Sequence, residues 1–185
     1  DANTTGTGNS AFGTDALGAN TTANNSSAFG FNALIVSTGS NNSAFGSTAL
    51  SVNTTANDNS AFGQGALQNN TSGTTNCAFG TKALQTNSTA SSNSAFGFNA
   101  LNATSTGANN CAFGAAVLDV NSTGSENSGF GFTCLGANTI GIDNCAFGVN
   151  ALRLNTSGNQ NCGFGRNALD ANTTAVNNCA FGFNA

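Results

Sequence analysis

Histidine, proline, tryptophan, tyrosine and methionine are all absent from this chain of 185 residues, and charge is scarce. Without histidine, the chain lacks the usual general base of enzymes and the commonest neutral metal ligand. Its three basic residues cannot form the lysine and arginine stripe that displaces counterions from phosphates. No hydrophobic run approaches the roughly 18 residues of a membrane span, and no signal peptide is recognisable. The sequence therefore predicts no metal, no cofactor, no nucleic-acid partner and no membrane span.

Phenylalanine recurs along the whole chain at a fixed interval. Each ring follows the previous one by 17 residues, except for one step of 16 between Phe29 and Phe45. A fixed short period over a whole chain is the signature of a repeat array in which each unit contacts only its neighbours. Residues 1–185 are therefore predicted to form one array of eleven repeats without a separate domain. The recurring rings are Phe12, Phe29, Phe45, Phe62, Phe79, Phe96, Phe113, Phe130, Phe147, Phe164 and Phe181.

The repeat has recognisable positions, which we number from Ala2 as position 1 of the first copy. Position 2 is usually Asn, positions 3 and 4 are Thr or Ser, and position 8 is Asn in ten of eleven copies. Positions 9 to 12 read Ser/Cys-Ala-Phe-Gly, position 15 is mostly Ala, and position 16 is Leu. The three basic and seven acidic residues occur only at positions 7, 13, 14 and 17. These positions are predicted to face solvent, because charges are seldom buried unpaired, and we interpret them as scattered charge and not as a catalytic pair.

The length and composition of the repeat favour strands. A unit of 17 residues is shorter than the helix pairs of α-solenoids, and abundant Asn, Thr and Ser compete with the hydrogen bonds of a helix backbone. The sequence predicts an all-β fold, a β-solenoid (β-helix or β-roll) of eleven 17-residue coils spaced about 4.8 Å apart. The residue missing from the third copy, between Val36 and Ser40, is predicted to tighten a turn without breaking the stack.

Alternation along a strand separates inside from outside. Positions 9 and 11 share one face, and the large apolar ring at position 11 predicts that this face is the interior. The eleven rings would then form a core ladder together with Leu at position 16, while position 10 would point outward. Glycine at position 12 indicates a bend where φ is positive or a side chain would clash. Asn at positions 2 and 8 suits turns and would form stacked amide ladders.

Two stretches of the repeat resemble known surface proteins. Asn42-Ser43-Ala44-Phe45-Gly46 and Asn144-Cys145-Ala146-Phe147-Gly148 resemble the Asn-Ser-x-Ala-Ile-Gly repeats of trimeric autotransporter adhesin heads. The longer pattern Ala-Phe-Gly-x-Asn-Ala-Leu, followed by Asn-Thr-Thr-Gly, is similar to repeats of bacteriophage tail-fibre and microbial surface proteins. The resemblance implies an extracellular β-roll or solenoid that serves as a stalk or adhesive rod. The present unit is longer than the adhesin repeat and has Phe in place of a smaller aliphatic residue, so a trimeric arrangement and a single-chain coil both stay open.

Glycosylation sequons recur at position 2. An Asn-x-Thr/Ser sequence is an acceptor in a secretory pathway that uses it, but Asn, Thr and Ser are also ordinary turn formers. The sequence leaves open whether glycans are attached. The candidate acceptors are Asn3, Asn20, Asn53, Asn70, Asn87, Asn121, Asn155 and Asn172.

Cysteine and additional phenylalanine occupy variable positions of the repeat. Five cysteines replace Ser at position 9 without metal-type spacing, and adjacent coils bring Cys145, Cys162 and Cys179 within disulfide range. Their exchange with Ser indicates buried free thiols at a small inward position. Extra rings at position 13 are either contact points for lateral association or parts of a half-buried corner. These rings are Phe31, Phe98, Phe132 and Phe183.

The sequence predicts a structural, non-enzymatic function at a cell or virion surface, as an extracellular fibre, stalk or adhesin shaft. The expected partner is the chain itself, head-to-tail, with lateral or trimeric association also open. An alternative is ice binding, although in β-solenoid antifreeze proteins the threonines alternate, whereas Thr4-Thr5 and Thr21-Thr22 are adjacent. A row of Asn-x-Thr groups would remain as a possible ice-binding surface. No cap is visible, and head-to-tail extension is predicted to use Asp1, Ala2, Asn3, Gly182, Phe183, Asn184 and Ala185.

Overall fold

A computed structural model describes residues 3–185 and contains one parallel sheet of eleven strands, paired in chain order. The pairing is in register, so that Ser43, Ala44 and Phe45 lie beside the same positions of the next coil. The predicted all-β solenoid of eleven coils of about 17 residues is confirmed. The strands are β1 Ser10–Phe12, β2 Ser27–Phe29, β3 Ser43–Phe45, β4 Ser60–Phe62, β5 Cys77–Phe79, β6 Ser94–Phe96, β7 Cys111–Phe113, β8 Ser128–Phe130, β9 Cys145–Phe147, β10 Cys162–Phe164 and β11 Cys179–Phe181.

The chain between strands turns by means of left-handed residues at positions 7, 14 and 16. In the fifth coil these are Thr75, Lys82 and Leu84, with φ of 57°, 60° and 51°. The left-handed conformation costs an L-residue about 1–2 kcal/mol. The backbone N–H groups of these three residues donate to carbonyls of adjacent coils at 3.3, 2.9 and 3.0 Å. Inter-coil hydrogen bonds therefore offset the strain, and each coil is ordered only by its neighbours.

Glycine at position 12 is required by both dihedral angle and space, as the sequence predicted. Gly63 has a φ of 138°, and a Cβ built on it would lie 2.5 Å from the carbonyl oxygen of Gly80 in the next coil. Position 12 thus allows successive coils to approach at strand spacing directly after the strand.

The interior contains leucine and alanine. Leu67 at position 16 is fully buried, which confirms that part of the prediction, and Ala61 at position 10 and Ala66 at position 15 are buried with it. The predicted phase of the strand is wrong, because position 10 faces the core while positions 9 and 11 face outward. Ser60 and Phe62 are only half-buried. The eleven phenylalanines are therefore an outer ladder and not the core ladder that their hydrophobicity suggested.

The narrowness of the core explains why alanine displaces phenylalanine from it. In the seventh and eighth coils the usual Ala of position 15 is replaced by the larger Val117 and Cys134, and between them position 10 becomes Gly129. A Cβ on Gly129 would lie 2.5 Å from Cγ1 of Val117 and 3.3 Å from Sγ of Cys134. The larger side chains at position 15 thus require the loss of the position-10 methyl group across the core, which leaves no volume for a ring.

The shortened third repeat keeps its register. Strand β3 pairs with β2 and with β4 residue for residue, so the missing residue is absorbed in the preceding turn, as predicted. There the Thr38 N–H donates to the Thr54 carbonyl at 2.7 Å. The stack therefore accepts a change of turn length without losing strand alignment.

Charged side chains lie on the outer surface, as predicted. Lys82 and Glu126 are exposed, and an ion pair of 2.9 Å joins the partly exposed Arg153 and Asp170 in neighbouring coils. Among residues 3–185, no helix is long and apolar enough to cross a membrane.

Candidate functional site

The position-11 rings Phe12 to Phe181 form a continuous ladder on the outside of the sheet, which we call the phenylalanine stripe. From Phe29 onward, successive ring centroids lie 4.5–5.1 Å apart with interplanar angles of 3–9°. The first pair, Phe12 and Phe29, is looser at 6.3 Å and 27°. In-register pairing of parallel strands imposes this spacing, because identical side chains repeat at the strand separation of about 4.8 Å.

The rings of the phenylalanine stripe present their edges to solvent. Each inner ring has both faces covered by the rings above and below it, in the near-parallel stacking that aromatic pairs favour at such distances. Phe29 and Phe113 remain 39% and 36% exposed, and the end rings Phe12 and Phe181 reach 74% and 69%. The stripe is therefore an apolar ridge of C–H edges without hydrogen-bonding groups, and no ring face is free to receive a planar ligand between the ends.

Small residues flank the stripe at position 9. This position shares the outward face of the strand and carries Ser or Cys, as at Ser60 and Cys77. The prediction of buried inward thiols is wrong for position 9, where the side chains are half-buried or, at Cys179, exposed. Only Cys134 of position 15 is buried. Position 9 is therefore a column of small side chains beside the ridge of rings.

The cysteines are free thiols. Cys162 pairs in register with Cys145 and Cys179, so that their Cα atoms lie at strand separation, within the range of a disulfide. Burial raises the pKa of Cys77, Cys111 and Cys145, and it raises the pKa of Cys134 to about 12. Because the thiolate is the reactive form, these groups are weak nucleophiles near neutral pH.

The additional rings at position 13 are exposed. Phe31, Phe98 and Phe132 are 53–55% exposed and Phe183 is 68% exposed. Position 13 is therefore an exposed position and not a half-buried corner. The Arg166 guanidinium lies 5.8 Å from the centroid of the Phe183 ring. These rings follow the stripe by two residues and add to the apolar surface of the molecule.

Two ladders of asparagine amides run through the interior. Asn70 Nδ2 donates to Asn53 Oδ1 of the preceding coil at 3.1 Å and to the Gly73 carbonyl at 2.8 Å. At position 8, Asn59 Nδ2 donates to the same Gly73 carbonyl at 2.9 Å, and Asn59 Oδ1 accepts the Asn76 N–H at 2.9 Å. The predicted amide ladders are thus present, but in the inner coils they are buried, and they hydrogen-bond to one another and to backbone groups of adjacent coils.

The burial of position 2 contradicts glycosylation at most of the predicted acceptors. Attachment of a glycan requires a free Nδ2, whereas Asn70 Nδ2 donates two hydrogen bonds into the interior of the coil. Asn3 is exposed and Asn172 is half-buried, both in end coils. The acceptors that are at most 1% exposed are Asn20, Asn53, Asn70, Asn87, Asn121 and Asn155. The sequons recur because Asn builds the ladder and Thr or Ser follows it in the turn.

Hydroxyl groups form two rows next to the position-2 ladder. The hydroxyl groups of the position-3 row already donate hydrogen bonds within the protein. Thr71 Oγ1 donates to the Ser88 carbonyl at 2.9 Å, and Ser105 Oγ donates to the Ser122 carbonyl at 3.0 Å. The position-4 row, which includes Thr89 and Thr106, is exposed. The Asn-x-Thr row predicted for ice binding is wrong, since its Asn is buried, and the position-4 hydroxyls remain as a single outer row.

The residues predicted to join head-to-tail lie in the end coils. Asp1 and Ala2 lie outside the described residues. Asn3 and residues 182–185 are exposed, and the Ala185 carbonyl accepts the Leu169 N–H at 2.9 Å. The open surface of the last coil borders a depression of about 560 Å³ that Asn167, Asn172 and Ala185 help to line.

Residues that could hold a metal ion do not converge. Within residues 3–185, no three cysteine, aspartate or glutamate side chains are grouped to bind one. A shallow surface depression of about 380 Å³ lies over Gly136, between Asp119 and Arg153. Desolvation by burial raises the pKa of the Asp119 carboxyl, but Arg153 is already engaged by Asp170.

The whole chain was also compared with known proteins. The chain is a parallel β-solenoid of tandem repeats, and no match supports the finer resemblance to adhesin heads or tail fibres. No family model matches the chain, and neither a curated protein nor a solved structure matches it.

Proposed function

We propose that the chain is a structural rod, namely a fibre, stalk or adhesin shaft that works outside a cell or on a virion and performs no catalysis. The observation that supports this function most directly is the unbroken in-register pairing of eleven similar strands, each Ser/Cys-Ala/Gly-Phe, in chain order. Each coil contacts only its neighbours, so the molecule extends in one direction as coils are added. Such an array therefore makes a long, narrow particle.

Three kinds of hydrogen bond along the axis suit a load-bearing role. Backbone bonds link each strand to the next, for example from Gly63 N–H to the Phe45 carbonyl at 2.8 Å. Asparagine side chains bridge coils in the interior, and position-3 hydroxyls bridge them at the surface. Separation of two coils must break all of them together, which favours resistance to pulling along the rod.

Lengthening the array tests the rod directly. Insertion of a second copy of residues 52–102, which are three complete repeats, is expected to lengthen the particle by about 14 Å at the strand separation of sheets, without changing its width. Small-angle scattering and electron microscopy measure both dimensions. A particle that widens isotropically, or a chain that is compact and round before the insertion, contradicts the rod.

Extension beyond one chain belongs to the same proposal. An in-register rung is a template for the next rung, whether that rung comes from the same chain or from another copy. A contact of this kind between unlike surfaces does not close, so it generates filaments. Electron microscopy of native material would show a filament of constant width.

Ice binding is a second candidate, and the exposed position-4 row favours it. Thr89, Thr106 and Thr123 occupy consecutive coils, and their hydroxyls repeat along the rod at strand separation, about 4.8 Å. A regular row of hydroxyl and methyl groups on a rigid sheet can order water. The row is interrupted at Ile140, which is 55% exposed.

Thermal hysteresis distinguishes the two candidates. If the chain binds ice, the wild-type protein lowers the freezing point below the melting point and facets ice crystals, and the change Thr106→Lys abolishes both effects. The matched change Ser94→Lys, at position 9 of the sixth coil and outside the position-4 row, leaves them intact. Wild-type protein without hysteresis at micromolar concentration eliminates ice binding and leaves the structural role.

A further inference from the structure

The phenylalanine stripe and the exposed position-13 rings form an apolar surface larger than an isolated rod requires. A whole phenylalanine side chain offers about 200 Å². Eight of these rings are 36–74% exposed, and together they offer roughly 900 Å² of apolar area; they are Phe12, Phe29, Phe113 and Phe181 of the stripe and Phe31, Phe98, Phe132 and Phe183 at position 13. The largest apolar patch of a typical monomer is about 300–600 Å², whereas a stable interface covers about 800 Å² on each partner.

The chemistry of this surface excludes most polar ligands. Positions 9 to 12 carry no charged residue in any coil, and the backbone N–H groups beside the stripe are engaged in inter-coil bonds, such as Gly97 N–H to the Phe79 carbonyl at 2.7 Å. The ring faces are occupied by neighbouring rings at 4.5–5.0 Å. Between the end rings of the stripe, a sugar ring therefore has no aromatic face to stack on, and an anion has no cation at positions 9 to 12.

We infer that the stripe is an interface on which two copies of this chain pair side by side, stripe against stripe. A partner must offer apolar groups at intervals of 4.5–5.1 Å along the full length of the sheet. A second copy has this spacing by construction, so its rings stay in phase with the first copy over all coils. The pairing surface is the same on both copies, and it therefore closes as a two-fold dimer.

The relief of the surface suits such a pair. Position 9 is a column of small residues, such as Ser60 and Ser94, directly beside the ridge of rings. Ring edges of one copy can lie against the rings and the position-9 column of the other and exclude water. Lateral pairing covers the long side of the rod, and the end coils stay free, so the pairing goes beyond the proposed rod and does not compete with its growth.

Charge placed beside the stripe tests the pair while leaving the ring ladder intact. The double variant Ser60→Lys, Ser94→Lys puts two cations at outward position 9 of the fourth and sixth coils. The matched variant Thr55→Lys, Thr89→Lys puts the same charges at exposed position 4 of the same two coils. Sedimentation equilibrium at micromolar concentration, the weak limit for an interface of standard size, measures the mass of each.

At equal protein concentration, the wild type and the position-4 variant are expected to have the same mass, and the position-9 variant half of it, whatever the extent of end-to-end growth. A wild type of single-chain mass, or a position-9 variant that stays paired, overturns the inference. Mass that rises steadily with concentration to the same value in both variants reports end-to-end growth without paired stripes and also overturns it. Circular dichroism verifies that both variants are folded.

Alkylation of the native thiols gives a second measurement that needs no variant. Iodoacetamide is expected to modify half-buried Cys77 and Cys111 more slowly as the wild-type concentration rises, because a partner covers position 9. Alkylation rates that do not depend on protein concentration contradict the paired state.

Discussion

Replacing Ala95 with aspartate is expected to destabilise the solenoid by about 4 kcal/mol or more, the range reached when an unpaired charge is buried. Ala95 is fully buried at position 10, and the core beside it contains only aliphatic side chains. The carboxylate would have no donor there and no volume. Urea unfolding followed by circular dichroism measures the loss, and failure to accumulate folded protein is the extreme of the same result.

The neighbouring residue supplies the control. Ser94→Asp introduces the same side chain one position earlier, where it points outward and is half-buried. In protein dilute enough to be unpaired, we expect a change within about 1 kcal/mol, as for other surface substitutions. If Ser94→Asp proved the more damaging of the two, position 9 would face the interior and the strand phase described above would be wrong.

Replacing Gly63 with alanine is expected to cost at least about 3 kcal/mol. The backbone at Gly63, with φ of 138°, is strained for any L-residue, and such strain costs about 1–3 kcal/mol. In addition, the new Cβ would lie 2.5 Å from the Gly80 carbonyl oxygen and 2.6 Å from its carbon. The neighbouring coil cannot retreat, because its own hydrogen bonds hold it at strand separation. Thermal or urea unfolding measures the cost.

Gly65 in the same coil is the matched site. It has φ of 65°, and a Cβ there would meet only the side-chain amides of Gln85 and Gln68, at 3.3 and 3.4 Å. Position 14 carries Asn in other coils, and Asn adopts the left-handed conformation at low cost. Gly65→Asn is therefore expected to change stability by less than about 1 kcal/mol. Equal losses at the two glycines would show that inter-coil distance does not limit position 12.

Much of this fold follows from periodicity and turn chemistry. The 17-residue period, the strand at positions 9 to 11, the buried Leu, the glycine at position 12 and the shortened third repeat were all predictable from sequence. The phase of the strand was not, because three residues of alternation fit either face. Hydrophobicity favours the ring inside, but the interior is too narrow for it. The compensating changes at Gly129, Val117 and Cys134 carried the missing information, since they show which two positions share the core.

The position-2 asparagines were predicted as ladder residues but also as surface acceptors, and both cannot hold. Stacking in register brings each amide to the amide of the next coil, and such a row removes the side chains from water. Where position 2 becomes Thr104, the oxygen Asn87 Oδ1 has no hydrogen-bond donor among the described residues. The sequence cannot distinguish an outward turn from an inward one of the same composition. The outward stripe was missed for the same reason.

The amide ladders also give the rod an electrical direction. At position 2, Asn87 Nδ2 donates to Asn70 Oδ1, and Asn70 Nδ2 donates to Asn53 Oδ1. The position-8 ladder has the same sense, since Asn76 Nδ2 donates to Asn59 Oδ1. Aligned amide dipoles add, as they do in a helix. Any stack of these coils therefore has amide protons at one terminus and carbonyl oxygens at the other, so that unlike termini attract, like termini repel, and the two termini accept new coils at unequal rates.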